Sequence, residues 1–220
     1  MRMAMKLILA NKAYSSWSFR SWILLRQFDI PFEEVVIPLD RPETRESILR
    51  FSPSAKCPSL HEGTIHVWES LAIAEYVAET FPQKPIWPAD KAARAMARSI
   101  SSEMHAGFQN LRAQCPMNFH RAPRPIPLNN ETLADVARIE AAWAQARRQF
   151  AGDGAFLFGA FSAADAMFAP IVNRFQAYAI EVAPATRAYM DAMTSLPAWQ
   201  QWAQEASQEP WLIAKYEAIP

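Results

Sequence analysis

The chain has 220 residues, of which 51% are hydrophobic and 20% are charged, and its 22 Lys and Arg balance its 22 Asp and Glu. This length and apolar content are enough to bury the core of one large domain or two small ones, which excludes a disordered chain. The balanced charge provides no positive field to attract nucleic acid or anionic lipid, so neither is expected as a partner.

The first third of the chain alternates short apolar runs with helical patterns, which is typical of βαβ construction. The pattern predicts strands at 6–10 and 34–37, helices at 16–28 and 42–51, a hairpin of strands at 59–61 and 65–67 around Glu62-Gly63, and a helix at 69–80. The order β-α-β-α-β-β-α fits a small mixed sheet with helices on both faces.

A proline-rich stretch then predicts a domain boundary, because Pro82, Pro85 and Pro88 are too many for one helix and suit a stiff connector. Strand patterns disappear beyond it. We therefore divide the chain into an α/β domain at 1–84, a linker at 85–90 and an all-helical domain at 91–220.

Helical periodicity dominates this second part. An amphipathic helix is predicted to open after Asp90 and to carry the apolar stripe Met96, Ile100, Met104, Phe108 and Leu111. A long helix at 130–150 is expected to bury Leu133, Val136, Trp143 and Phe150, with Gly152 as its C-cap. Four prolines make 115–129 a loop between these helices, and long loops on a rigid bundle often line pockets.

The last third is also predicted to be helical. Ser162 and Asp165 fit a capping box that opens a helix containing Pro170. Two more helices are predicted at 184–193 and 196–206. The tail at 211–220 is expected to fold back through Trp211, Leu212 and Tyr216.

The two cysteines and the apolar runs bear on compartment. Cys57 and Cys115 are far apart and have no metal-like spacing, so we expect structural thiols rather than a disulfide or a metal site. No apolar run is long enough for a signal peptide or a membrane span. We therefore expect a cytoplasmic protein with no membrane partner.

A serine-rich segment, Tyr14-Ser15-Ser16-Trp17-Ser18, lies between the first predicted strand and the first helix. A helix N-terminus presents free N–H groups and a partial positive charge, so hydroxyls there can stabilise an anion such as a thiolate. A serine N-cap with no further role is the alternative.

A second segment, Lys56-Cys57-Pro58, comes immediately before a strand that we expect to be central. Proline cannot donate to a sheet ladder, so Pro58 is expected at the start of the strand, with a cis peptide bond as one possibility. A cis bond would turn the Cys57 backbone outward to pair with an extended peptide ligand. An ordinary strand-initiating proline is the alternative.

The third segment is Glu69-Ser70, which opens a helix directly after a strand. The Ser70 hydroxyl and nearby free N–H groups could bind a carboxylate, and Glu69 could pair with an α-ammonium group on the same ligand carbon. A helix cap without any ligand is the alternative.

In this order, together with the proline-rich linker and the Ser162 to Asp165 box, these segments resemble the glutathione transferase superfamily along the whole chain. The first turn is most similar to that of the serine-using zeta, theta and tau branches, whose active serine lies five residues before an arginine. That spacing points to Ser15, five residues before Arg20, with Ser16 beside it as a second candidate. Zeta-like members carry a cysteine where this chain has Trp17.

The resemblance implies a thioredoxin-like α/β domain followed by an all-α helical bundle, with glutathione as co-substrate and no metal. It implies that Lys56 reaches the glycyl carboxylate of glutathione and that Cys57, before Pro58, pairs through its backbone with the cysteinyl unit. Glu69 and Ser70 would hold the γ-glutamyl end. It also implies a homodimer.

The resemblance places the helix after Asp90 along the cleft between the domains, where His105 and Arg112, seven residues apart, would share one helical face beside the apolar stripe and line the second-substrate pocket. The other candidates for this pocket are Tyr14, Trp17, Phe108, Met117 and Phe119. Such a pocket would accept an aromatic or acidic electrophile. Surface polar groups and bundle core without a substrate pocket are the alternative.

The function implied by the resemblance is conjugation of the glutathione thiolate to a small electrophilic, hydrophobic substrate. Two alternatives stay open at this point. One is a glutathione-dependent cis-trans isomerase similar to maleylacetoacetate isomerase, and the other is a glutathione-binding protein without catalytic activity.

Overall fold

The computed structural model describes residues 4–220, and its N-terminal part is built on a four-stranded sheet. The strands are β1 (Met5–Ala10), β2 (Phe32–Ile37), β3 (Ser59–Glu62) and β4 (Ile65–Trp68), in the spatial order β2-β1-β3-β4. Strand β1 is parallel to β2 and antiparallel to β3, and β3 is antiparallel to β4.

Helices cover this sheet and form the rest of the chain. They are α1 (Ser16–Gln27), α2 (Thr44–Leu49), α3 (Ser70–Thr80), α4 (Lys91–Ala106), α5 (Gln109–Gln114), α6 (Asn130–Phe150), α7 (Ala163–Ala177), α8 (Pro184–Thr194), α9 (Pro197–Ser207) and α10 (Ala214–Glu217). The expected fold class, a thioredoxin-like domain followed by a helical domain, is confirmed. The domain boundaries at 84 and 90 stay a prediction.

Strand β1 is buried on both faces, which explains why it reads as a continuous apolar run. Leu7 and Leu9 belong to the large core that includes α1 and α3 residues, whereas Ile8 belongs to a small core with Ile37 and Ile48. Successive side chains of a strand point to opposite faces, so both faces of this sheet need helical cover.

The hairpin is confirmed, but its turn lies one residue later than expected. Glu62 pairs with Ile65, so Glu62 belongs to β3 and the two turn residues are Gly63 and Thr64. Gly63 has a φ of 61°, the left-handed conformation that tight two-residue hairpins favour.

The single helix expected after Asp90 is wrong, because the structure divides it into α4 and α5. Gly107 and Phe108 break the helix, and Phe108 has a φ of 61°. A Cβ at Gly107 would lie 2.9 Å from the carbonyl oxygen of Glu103, so this corner needs glycine. Apolar residues at helical spacing indicate which side of a segment is buried. Because this spacing continues across the corner, it does not reveal that the helix breaks there.

Helix α6 has the expected bounds, and Gly152 follows it with a φ of 55°. Leu133, however, is 49% exposed, so its placement on the inner side was wrong. The buried stripe begins instead at Thr132 and continues through Val136 and Ile139. A neighbouring helical position is rotated by about 100°, which carries Leu133 away from the core.

The tail also folds back as expected, although through a different anchor. Leu212 is 62% exposed, and the buried residue is Ile213, which precedes α10. Tyr216 packs against Tyr14 with ring centroids 5.8 Å apart.

The Ser162 to Asp165 capping box is confirmed at the start of α7. The buried carboxylate of Asp165 accepts hydrogen bonds from the backbone N–H groups of Leu157, at 3.1 Å, and Ser162, at 2.9 Å, and from the Ser162 hydroxyl at 3.0 Å. Helix α7 packs against α1, so the box fixes the start of a helix that supports α1.

Lys12 provides a second link between the sheet and the helical part. Its buried ammonium group contacts Glu34 of β2 and Glu205 of α9, while Glu209 accepts hydrogen bonds from the backbone N–H groups of Lys12 and Ala13. The loop before α1 is therefore tied to the end of α9. Within residues 4–220, no helix combines the length and apolar character that crossing a bilayer requires.

Candidate functional site

A cavity of about 560 Å³ opens where the start of α1, the segment before β3, the start of α3 and the α4–α5 corner meet. This volume is in the range of pockets that bind small molecules. Its lining is formed by Ala10, Tyr14, Ser15, Ser16, Trp17, Leu39, Ile48, Ser54, Ala55, Lys56, Cys57, Pro58, Glu69, His105, Arg112, Pro116, Met117, Arg174 and Tyr216. All three segments singled out in the sequence contribute to it.

Ser15 is the N-cap of α1. Its oxygen accepts a hydrogen bond from the backbone N–H of Ser18, and its hydroxyl donates to Ser18 Oγ at 2.8 Å. Ser18 Oγ in turn accepts from the backbone N–H of Ala10 at 2.9 Å. The cap is therefore held by Ser18, a fully buried serine of the same segment that was not among the candidate sulfur ligands.

Ser16 lies beside the cap and also lines the cavity. Among the described residues, its hydroxyl has no hydrogen-bond partner, and neither has the backbone N–H of Trp17. The start of α1 thus presents two serine hydroxyls and a free N–H group beside the cavity, an arrangement that favours an anion.

The segment before β3 forms the opposite wall. The Cys57-Pro58 peptide bond is cis, as the sequence suggested, and Lys56, Cys57 and Pro58 all line the cavity. Within the described chain, the backbone N–H and C=O of Cys57 make no hydrogen bond, because the ladder of β3 begins at Ser59. These groups remain available to a ligand.

Both cysteines are free thiols, as expected. Burial raises the pKa of Cys57 to about 12 and that of Cys115 to about 11. A thiol that stays protonated at neutral pH is a poor nucleophile, so neither cysteine is equipped to attack a substrate.

The start of α3 contributes Glu69 but not Ser70. Glu69 lines the cavity with a φ of 70°, and its carboxylate lies 3.6 Å from Nε2 of His105. Ser70 is buried outside the lining, and its hydroxyl donates to the sulfur of Met167 at 3.7 Å. The expected contact of that hydroxyl with a ligand carboxylate would require a different side-chain rotamer.

Five of the residues expected around the second substrate line the cavity, namely Tyr14, Trp17, His105, Arg112 and Met117. Phe108 does not, since it is buried in the α4–α5 corner, and Phe119 packs against Phe19 and Trp199.

His105 and Arg112 both line the cavity, but they do not share one helical face as predicted. They belong to separate helices, and Arg112 reaches back from α5 to donate hydrogen bonds to the carbonyls of Met104 and Gly107 at the end of α4. The corner brings the two side chains to one wall.

Three arginines gather at this wall. Arg112 and Arg174 line the cavity, and Arg20 lies against the ring of Trp17, with its guanidinium carbon 4.3 Å from the ring centroid. Burial and mutual repulsion lower the pKa of Arg20, and burial lowers that of Arg112. Burial, together with Arg112, lowers the pKa of Arg174 to about 10, so this side chain stays charged at neutral pH.

His105 is affected by the same charges. Burial and the nearby Arg20 lower the pKa of its imidazole, whereas Glu69 acts in the opposite direction. Since the net shift is downward from an ordinary value of 6.5, His105 is neutral at neutral pH.

Tyr14 is held away from a role as a sulfur ligand. Its phenol donates to Oε1 of Glu217 at 2.7 Å, and burial and this hydrogen bond raise its pKa well above the ordinary value. The tail is thereby fastened beside the cavity, which Tyr216 also lines.

Arg174 and Tyr216 were missed in the sequence, although Arg174 left a signal there. It is a charged residue within the apolar run that forms α7, where 14 of 15 positions are buried. A buried charge of this kind needs a partner or a function. Tyr216 had been noted only for the folding of the tail.

Comparison with known proteins gives matches to two family models. Residues 14–80 match the N-terminal domain of glutathione S-transferase, and residues 105–205 match its C-terminal domain. Together the two models cover most of the chain and include every residue that lines the cavity except Ala10 and Tyr216.

Individual relatives and solved structures agree with these models. The chain is 35% identical over 106 residues to a probable maleylacetoacetate isomerase of Caenorhabditis elegans, a match that spans 48% of this chain and 50% of that protein. A glutathione transferase homologue from Burkholderia, solved with bound glutathione, covers 94% of this chain and is itself covered fully, with a TM-score of 0.71 and 22% identity. The match to human glutathione S-transferase T1-1 spans 98% of this chain and 91% of the human chain, with a TM-score of 0.66 and 21% identity. At these identities the structural likeness concerns the fold.

Proposed function

Since the chain belongs to the glutathione S-transferase superfamily, we propose that it is a glutathione transferase that conjugates the glutathione thiolate to a small electrophile. The thiolate attacks an electrophilic carbon and forms a carbon–sulfur bond. In a substitution the leaving group departs with its electron pair, and in an addition the neighbouring carbon takes a proton from solvent. The proton of the glutathione thiol is released on ionisation.

The observation that carries this proposal is the anion-favouring start of α1, where Ser15, Ser16 and the free N–H of Trp17 meet at the cavity. A cysteine thiol with a pKa of about 8.5 is only a few per cent ionised at neutral pH. Each unit by which the enzyme lowers that pKa corresponds to about 1.4 kcal/mol of preference for the thiolate. Hydroxyl donors at a helix N-terminus supply such a preference without a general base.

Ser15 is the stronger of the two candidate donors. Its oxygen already accepts a hydrogen bond from the backbone N–H of Ser18, which polarises its own O–H. When a thiolate binds, the Ser15 hydroxyl breaks its hydrogen bond to Ser18 Oγ and donates to the sulfur instead. The Ser18 hydroxyl then donates a hydrogen bond to the Ser15 oxygen. Ser16, whose oxygen accepts no hydrogen bond among the described residues, is the weaker second donor.

The remaining groups around the cavity match the rest of the tripeptide. Lys56 would bind the glycyl carboxylate, the unpaired backbone of Cys57 beside Pro58 would bind the cysteinyl unit, and Glu69 would bind the γ-glutamyl ammonium group. Ser70 lies in the first turn of α3, where free backbone N–H groups would bind the γ-glutamyl carboxylate.

The direct test measures conjugation of glutathione to the general electrophile 1-chloro-2,4-dinitrobenzene. We expect turnover by the wild type and a loss of about a hundredfold in kcat/KM for Ser15→Ala, against about tenfold for Ser16→Ala, in line with the removal of donors to a developing anion. Binding of glutathione without any conjugation would identify a non-catalytic glutathione-binding protein instead.

A glutathione-dependent isomerase is the second candidate, because several relatives are named maleylacetoacetate isomerases, those of Rattus norvegicus and Mus musculus among them. In such a reaction the thiolate adds to the substrate and leaves again, so glutathione is not consumed. Measuring glutathione consumption during conversion of a maleylacetoacetate-type substrate distinguishes the two activities. Trp17, which replaces the cysteine of zeta-like members, favours the transferase.

The cytoplasmic location and the homodimer expected from the sequence are retained as parts of this proposal. For the dimer, Ile65 and Trp68 on the edge strand β4 are 47% and 41% exposed, and apolar side chains at a sheet edge suit an interface. Sedimentation of the purified protein gives the oligomeric state directly.

A further inference from the structure

The arginines around Trp17 carry more positive charge than the protein neutralises. Arg20 is 1% exposed, and among the described residues none of its three guanidinium nitrogens has a hydrogen-bond partner. A buried and unpaired cation is costly, and arginine does not escape this cost by losing its proton. Such a group calls for an anion.

The anion must enter from the cavity side of Trp17. The guanidinium carbons of Arg20 and Arg112 lie 4.3 Å and 5.0 Å from the centroid of the Trp17 ring. Trp17 and Arg112 line the cavity, whereas Arg20 is buried against the Trp17 ring and lies outside the lining. Arg112 is fixed by hydrogen bonds from Nε and Nη2 to the end of α4, and its Nη1 has no hydrogen-bond partner within residues 4–220.

Glutathione alone does not balance the charge of the arginines. Lys56, Arg112 and Arg174 line the cavity and Arg20 lies outside the lining, a total of four positive charges. They are opposed by Glu69 in the lining and by Asp135, whose charge acts on Arg112 from outside it. Glutathione in its thiolate form has two carboxylates, one thiolate and one ammonium group, a net charge of two negative. The totals are then equal, but Lys56 and Glu69 are the residues that match the tripeptide, so the three arginines, opposed by Asp135, stay positive once glutathione is bound.

We infer that the second substrate is an anionic electrophile, whose carboxylate binds Arg112 beside Trp17 while its apolar body packs against Tyr14, Met117 and Tyr216. This inference rests on the proposed transferase function and narrows its substrate class. Arg20 strengthens the positive field at the carboxylate, because a buried charge interacts more strongly than a charge on the surface. Arg112 is the residue that determines specificity.

A matched pair of electrophiles tests this inference, namely 4-chloro-3-nitrobenzoate and 4-chloro-3-nitrobenzamide. In both, the sulfur–carbon bond replaces the carbon–chlorine bond and chloride leaves with the electron pair, so only the charge differs. Each kcat/KM is divided by the rate constant of the uncatalysed reaction with glutathione. We expect the wild type to prefer the benzoate by about tenfold or more, the size of effect typical of a charge-assisted hydrogen bond.

Arg112→Gln should lower kcat/KM for the benzoate about tenfold more than kcat/KM for the benzamide, so that the preference for the acid is lost. Because the two substrates are compared in the same protein, a partial loss of fold cancels from the ratio. Arg138→Gln is the matched control, since Arg138 is a surface arginine of α6 paired with Glu103, and it should keep the preference.

The outcomes separate the two proposals. Turnover of both compounds without preference for the acid would overturn the anion site and leave the transferase intact. A preference that persists in Arg112→Gln would overturn the assignment to Arg112. If neither compound nor 1-chloro-2,4-dinitrobenzene is turned over, the proposed function itself fails. In that case binding of 3-nitrobenzoate and 3-nitrobenzamide, measured by calorimetry with glutathione present, tests the anion site alone: tighter binding of the acid supports it, and equal binding overturns it.

Discussion

The hydroxyl of Ser15 donates a hydrogen bond to Ser18 Oγ at 2.8 Å, so the residue proposed to hold the glutathione sulfur is itself positioned by a buried neighbour. Ser18 is fully buried and is fixed by the backbone N–H of Ala10 at the end of β1. The central strand thus sets the position of the proposed sulfur ligand through two consecutive hydrogen bonds.

This relationship predicts that Ser18→Ala lowers kcat/KM by about tenfold, since Ser15 loses the neighbour that orients and polarises its hydroxyl. The pKa of bound glutathione should rise in the same variant. Ser21→Ala is the matched control, because Ser21 is another buried serine of α1 and its hydroxyl has no hydrogen-bond partner among the described residues. Equal losses in both variants would mean that Ser18 acts only through the stability of the helix.

The hydrogen bond from Tyr14 to Glu217 predicts a role for the tail in binding the electrophile. Tyr14→Phe should raise KM for the electrophile by about three- to tenfold, because the loss of a hydrogen bond to a charged group loosens the tail that carries Tyr216, although Asn118 still holds Glu217. The pKa of bound glutathione should not change, since Tyr14 donates to a carboxylate rather than to sulfur. A rise in that pKa as large as the one in Ser15→Ala would make Tyr14 the sulfur ligand.

The contacts of Lys12 predict a pH-dependent link between the sheet and α9. Burial alone would raise the pKa of Glu34, but hydrogen bonds from Lys12, Trp22 and Arg26 outweigh it and lower the pKa below 4.5. A carboxyl with a lowered pKa stabilises the fold above its unfolded pKa, and this contribution is lost as the pH falls through the folded value. Glu34→Gln should therefore destabilise the protein at pH near 7, with the difference from wild type shrinking at pH below about 4.5.

Urea unfolding at a series of pH values measures this effect, and Glu33→Gln provides the control. Glu33 is the preceding residue of β2, its side chain is 67% exposed, and its only recorded ion pair within the described chain is a long one to Lys6 at 3.8 Å. Surface pairs of this kind contribute little to stability. A Glu34→Gln variant whose deficit is the same at every pH would contradict the ionic explanation.

The capping box of α7 predicts a large loss of stability on removal of its carboxylate. Asp165→Ala leaves three donors without their acceptor and should cost about 3–5 kcal/mol, whereas Ser162→Ala should cost about 1 kcal/mol. Urea unfolding provides both values. Asp191→Ala, at an exposed position of α8, should change stability by less than about 0.5 kcal/mol. A small effect of Asp165→Ala would show that water replaces the lost acceptor.

How far the sequence predicts this protein depends on the range of the interactions involved. The strands, the bounds of α6 and the capping box at Ser162 follow from local patterns, and the structure confirms them. The break at Gly107 and the exposure of Leu133 depend on how α4, α5 and α6 pack, which the periodicity of one segment does not report. The same limit applies to the turn at Gly63, where one residue of register separates strand from turn.

The residues that line the cavity also divide into those that local sequence patterns predict and those that only long-range packing brings there. Ser15, Cys57 and Glu69 were expected there because their segments combine a polar group with the end of a helix or strand, and because the ordered set resembles the glutathione transferase superfamily. Arg174 reaches the cavity from a helix far along the chain, and only the packing of α7 against α1 brings it there. The charge surplus around Trp17 could not be seen until the arginines were placed together.

The central claim, that the start of α1 holds glutathione as a thiolate, is tested most directly by titrating the ultraviolet absorbance of the thiolate in the binary complex. The account predicts an apparent pKa about one to two units below that of free glutathione in the wild type, and a return toward the free value in Ser15→Ala while glutathione still binds. A wild-type complex in which glutathione ionises at its free-solution pKa would contradict the claim.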